Sequence, residues 1–136
     1  MEKGKVRQDV LDRIKKIPIV DTLGFEFIEL EDGICRAKVK HDKKYDGIFE
    51  SFHGGLLMTV ADSISAFAIL TKTGADAAIT TTDMNIRFLA ACRTDVYAEA
   101  KIIKLGKTLA PVAVELFDEN NKMVAVAQVN YMMLNQ

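Results

Sequence analysis

The sequence predicts an α+β domain in which one long apolar helix is wrapped by a curved antiparallel sheet of about five to six strands, preceded by a short N-terminal helix. Three observations carry this expectation. Residues 52–71, FHGGLLMTVADSISAFAILT, are almost uncharged at helix length, with a single carboxylate, Asp62. The stretches 78–90, 94–105, 107–119 and 122–134 are rich in Val, Ala and Thr and are separated by short breaks, as strands are. No repeat, low-complexity tract or linker divides the chain, so residues 1–136 are expected to form one domain.

The elements follow in order. Val6, Val10, Ile14 and Ile17 recur at helical spacing, and Pro18 stops that helix. Phe25 and Phe27 alternate with charges, and after a Glu31-Asp32-Gly33 turn the alternation resumes with Ile34, Ala37 and Val39, a hairpin signal. Residues 41–51 read as a polar loop. Gly74 ends the long helix. The strand breaks fall at 91–93, 105–107 and 119–121, the last a strong turn. Short connections imply a meander of about four antiparallel neighbours, and a curved sheet buries a single long helix most economically.

Composition narrows the function classes. Eighteen basic and nineteen acidic residues leave a net charge of −1, which pulls the protein toward neither nucleic acid nor an anionic membrane. Cys35 and Cys92 lack paired spacing, and His41 and His53 are the only histidines. A reduced, cytoplasmic setting without a metal site follows as the expectation. The N-terminus is charged throughout and has no apolar signal core. Asp62 splits the apolar run into pieces shorter than the ~20 residues a membrane span needs, so no span is expected.

On a helical wheel Leu56, Leu57, Val60, Ala61, Ile64, Phe67 and Ala68 form the face expected to pack on the sheet. Asp62 points nearly the opposite way, among Gly55, Met58, Thr59, Ala66 and Ile69. That second face carries no Lys, Glu or Arg, and a second copy of the same helix in a two-fold dimer is the simplest cover for it. Asp62 is either an exposed polar residue or a desolvated functional carboxylate. His53-Gly54-Gly55 either permits a tight turn with a helix cap or presents bare N–H groups and a positive helix end to a ligand oxygen.

His-Gly-Gly, with an aspartate nine residues after the histidine inside an apolar helix, resembles the hotdog-fold acyl-CoA thioesterases, specifically the phenylacetate-pathway type. TTTDMNIRFLAA (80–91) and LGKTLAPVAVEL (105–116) extend the resemblance, which spans roughly residues 20–134. It implies that the Gly54 amide polarises the thioester carbonyl, that Asp62 acts as base or nucleophile, and that Thr81 helps to place water. His53 and Glu50 join the candidate catalytic set. The family pattern N-x-x-G-x-x-H-G-G is broken, because Gly47 stands where it has Asn and Glu50 where it has Gly. Asp46, Glu50 and Ser51 are candidates to take over the role of the missing Asn.

Gly54 and Asp62 lie eight residues apart, about 12 Å along one helix. Acting on one thioester, they must come from two antiparallel subunits, which gives two equivalent sites per dimer. The implied substrate is an acyl-CoA, with coenzyme A part of the substrate and no separate cofactor. The implied partner is a second copy of the chain, in a homodimer that pairs into a dimer of dimers. Gly55, Phe52, Met58 and Lys107 are the candidate substrate contacts, Lys107 toward a CoA phosphate or the pantetheine arm. Phe49 and Ile69 are further candidates to line an apolar tunnel. A G-x-S-x-G elbow is absent, and LGKT lacks the earlier glycine of a phosphate loop. An acyl-CoA-binding protein without hydrolysis and a hotdog enoyl-CoA hydratase or dehydratase are the alternatives.

Overall fold

The computed structural model describes residues 1–134. Two short helices, α1 (Gln8–Ile14) and α2 (Pro18–Leu23), precede the hairpin β1 (Phe25–Glu31) and β2 (Ile34–Val39). A 3-10 turn at Lys43–Tyr45 leads to the long helix α3 (Gly54–Thr73). The strands β3 (Ile79–Phe88), β4 (Val96–Ile102), β5 (Leu109–Phe117) and β6 (Met123–Met133) follow. They form one antiparallel six-stranded sheet in the order β1-β2-β4-β5-β6-β3, and α3 packs on all six strands. The expected hotdog architecture, a helix wrapped by a curved sheet, is present.

The β1–β2 turn is a two-residue connection in which Asp32 and Gly33 both take positive φ, 52° and 79°. Such a turn matches the right-handed strand twist and fixes the register Glu31↔Ile34. The 119–121 turn is held by the Asp118 carboxylate, which accepts from Asn120 and Lys122 N–H at 2.9 and 3.0 Å. Where α3 crosses the middle of the sheet the residues are small: Ala37 faces Ala98 across β2 and β4, and Ala100 and Ala110 are likewise fully buried. Small side chains let the helix nest close, so Val60, Ile64 and Ala68 lose all exposure. Each buried Val or Ile contributes about 1.5–3 kcal/mol. Phe67 packs edge-on against both Phe25 and Phe27, closing the core at β1.

Three expectations are corrected. The first helix starts at Gln8 because residues 4–7 run alongside β1, with Arg7 N–H donating to the Leu30 carbonyl and Leu30 N–H to that of Lys5. That helix ends at Ile14 with Lys15 as its C-cap, short of the expected stop, and Pro18 instead opens α2, the position where its missing N–H costs nothing. The last four strands are not one meander: β3 pairs with β6, and β2 pairs with β4. The connection after β3 crosses the helix N-terminus, where Phe52 N–H donates to the Cys92 carbonyl at 2.7 Å.

Helix α3 is long and apolar enough to cross a membrane by composition, yet here it is the core helix of the sheet. Among the described residues no group of His, Cys, Asp and Glu is arranged to hold a metal.

Candidate active site

Asp62 lies in the third turn of α3 and is half-buried. Its Oδ1 accepts two hydrogen bonds, from the Thr81 hydroxyl at 2.7 Å and the Tyr131 hydroxyl at 2.7 Å. The Tyr131 hydroxyl also stands 2.8 Å from the Asp62 carbonyl oxygen, so its one hydrogen is shared between two oxygens of the same residue. Oδ2 has no hydrogen-bond partner among the described residues. Burial, with the adjacent Asp62 carboxylate, pushes the Tyr131 phenol well above the ordinary tyrosine value, so it stays a donor.

A β-bulge aims Thr81. Met84, Ile86 and Phe88 alternate along β3, and an unbroken alternation would carry Thr82 rather than Thr81 on the same side. The β3–β6 register shifts between Thr81 and Asp83, which leaves Thr82 as the extra residue. Thr82 turns its hydroxyl to the Asn130 carbonyl at 3.1 Å, and Thr81 is brought opposite Tyr131. Both hydroxyls then reach the same carboxylate. With its hydrogen given to Asp62, Thr81 can meet a water molecule only as an acceptor.

The helix start explains His-Gly-Gly residue by residue. His53 is the N-cap, and its Nδ1 accepts from Gly55 N–H at 2.9 Å. An accepting Nδ1 leaves the ring hydrogen on Nε2. A side chain on Gly55 would meet the His53 ring at 3.1 Å, so the second glycine makes room for the cap. Gly54 faces the Phe88 ring, and its N–H has no acceptor among the described residues. That N–H sits at the positive end of a 20-residue helix, where backbone donors favour negative charge.

The remaining candidates separate. Glu50 is exposed, holds φ at 55°, and closes a turn through its N–H to the Gly47 carbonyl at 3.2 Å. Its carboxylate has no bonded partner among the described residues. The family glycine that Glu50 replaces therefore falls on a left-handed backbone position. Of the residues offered for the Asn role, Asp46 is engaged with His41 at 2.6 Å. Phe52 is buried and stacks near His41, whereas Phe49 is exposed.

Phe52, His53, Leu56, Leu23 and Tyr45 border a cleft of about 470 Å³ beside the helix start. Met58 is exposed on the outer face of α3 as expected, whereas Ile69 is fully buried and leaves that face. Lys107 lies in the β4–β5 connection, at the end of the sheet opposite the Gly54 helix start of its own chain. Tyr131 escapes sequence reasoning, because its partnership with Thr81 depends on the β3–β6 pairing.

Residues 49–125 match the family model of the thioesterase superfamily, a span that holds Gly54, Asp62 and Thr81. The chain belongs to the thioesterase superfamily. Over 96 residues this thioesterase is 34% identical to acyl-coenzyme A thioesterase 13 of Homo sapiens, covering 68% of this chain and 66% of that relative. The PaaI protein of the E. coli phenylacetic acid degradation operon matches with a TM-score of 0.86 and 20% identity, over 94% of this chain and 92% of that one. A thioesterase from Haemophilus influenzae gives a TM-score of 0.84 and 22% identity, over 98% and 94%. Those two structures show the shared hotdog fold, and the superfamily membership makes the chain a thioester hydrolase.

Proposed function

We propose that this thioesterase hydrolyses an acyl-CoA to the free carboxylic acid and CoA, at a site assembled by two subunits. The observation that carries the reading is the division of the machinery along α3. An amide without an acceptor among the described residues stands at Gly54, and a clamped carboxylate at Asp62, about 12 Å further along the same rigid helix. One carbonyl group cannot reach both. An antiparallel second helix brings the partner subunit's Gly54 beside Asp62, and two-fold symmetry makes two such sites.

Asp62 Oδ2 removes a proton from water while the water oxygen adds to the thioester carbon. The Gly54 N–H meets the negative charge that develops on the carbonyl oxygen; one such donor is typically worth about 3 kcal/mol. Collapse of the tetrahedral adduct breaks the carbon–sulfur bond, and the thiolate recovers the proton held by Asp62. The cleft beside His53 offers an apolar side for the acyl group in Leu23, Phe52 and Leu56, while Lys40, His41, Asp42, Lys43 and Asp46 line its polar side. The 34% identity to a named acyl-CoA thioesterase supports the choice of substrate.

A panel of acyl-CoA esters assayed with a free-thiol reagent tests this directly. Wild-type protein releases thiol, and Asp62→Asn reduces release at least about 100-fold, the usual contribution of a positioned base. Tight binding without thiol release would instead make the protein a binder. Water addition to an enoyl-CoA without thiol release would make it a hydratase.

A further inference from the structure

We propose that Tyr131 is a positioning residue for the reaction: together with Thr81 it pins Oδ1 of Asp62 and leaves Oδ2 as the oxygen that accepts the proton. This inference rests on Asp62 being the base described above.

A carboxylate on a helix surface turns broadly about its last torsion and presents either oxygen. Two donors on one oxygen remove that freedom. Thr81 and Tyr131 are directly opposed in the β3–β6 ladder, and their hydroxyls both lie 2.7 Å from Oδ1. Tyr131 is 5% exposed and sits on a strand buried between β5 and β3, so its ring is held by packing rather than by the bond it donates.

Its hydroxyl also touches the Asp62 carbonyl at 2.8 Å, which ties the ring to the helix backbone at the residue whose side chain it orients. Raised by burial above the ordinary 10.0, the phenol keeps its hydrogen at neutral pH. A buried tyrosine needs one partner for its hydroxyl, and the backbone carbonyl alone would supply that. The second contact, to Oδ1, is the one a purely structural tyrosine does not need.

The two roles differ in kinetics. Tyr131→Phe removes only the hydroxyl, and the test follows folded, oligomeric protein turning over the acyl-CoA that gives the fastest thiol release. A positioning role lowers kcat about tenfold, the loss of one hydrogen bond to a charged group, with KM held within about twofold. Combining it with Thr81→Val lowers kcat below the product of the two single losses, since either donor alone still restrains Oδ1. Full kcat in Tyr131→Phe, or a loss confined to KM or to the melting temperature, overturns the proposal while leaving Asp62 as base. Full activity in Asp62→Asn overturns the base reading itself, whatever Tyr131→Phe does.

Discussion

The Phe88 ring lies against Gly54, so that a side-chain carbon built on Gly54 would stand 3.4 Å from Phe88 Cζ. That is ordinary van der Waals contact, and alanine is the better helix former. Gly54→Ala is therefore expected to keep its melting temperature. The added methyl group crowds the approach to the amide without removing it, and kcat/KM is expected to fall at least about tenfold, short of the roughly hundredfold or more that outright loss of an oxyanion donor costs. Paired thermal melts and thiol-release assays check the two halves of this prediction.

Glu50 holds a left-handed backbone conformation with an exposed carboxylate that has no bonded partner among the described residues. Glu50→Gly is expected to relieve that conformation and raise stability by up to about 1 kcal/mol, with catalysis unchanged. Urea midpoints and steady-state rates measure both. A large loss of turnover would instead make Glu50 a working carboxylate.

Local signals in the sequence reveal most of the fold and part of the site, and what they hide has physical causes. Long-range apolar periodicity marks α3, and the Asp32-Gly33 and Asn120-Asn121 turns mark two hairpins because their backbone demands are local. The β3–β6 pairing is not legible: short connections suggest neighbours, and nothing local in residues 89–95 says that this segment crosses the helix start. Tyr131 is hidden with it. Ile69 falls on the wrong face because an angular wheel cannot show how far a curved sheet reaches around the last turns of a helix. Glu50 looks chemical in the sequence because its side chain carries charge, whereas its backbone is what the fold uses.

Three buried groups predict an alkaline limit to stability. Burial raises the Cys35 and Cys92 thiols above the ordinary 9.0, and likewise the Tyr131 phenol above 10.0. Below those values both folded and unfolded chains hold the protons, and stability is independent of these groups. As pH climbs past 9.0 the unfolded chain releases protons that the folded chain retains, so stability falls. Each fully retained proton costs about 1.4 kcal/mol per pH unit. Cys35→Val is expected to flatten the decline of the urea midpoint above pH 9.0; an unchanged slope would contradict it.

If Gly54 of one subunit meets Asp62 of the other, the helix position midway between them, Met58, meets its own symmetry mate. Met58 is the exposed residue there. Oxidised Met58→Cys is expected to run as a disulfide-linked dimer on non-reducing gels, since the two sulfurs approach across the axis. The same cysteine placed at Lys107, in the β4–β5 connection, is expected to remain monomeric on such gels.

Subunit complementation tests the shared site most directly. Asp62→Asn and Gly54→Ala chains, each severely impaired alone, are co-expressed with different tags and the mixed species is assayed for thiol release. A site drawn from two chains leaves one of the two sites intact in each mixed dimer, so the mixed species, isolated through both tags, recovers about half of wild-type activity. A mixed dimer no more active than its parents would show that Asp62 and Gly54 serve the same subunit, and the shared-site chemistry would be wrong.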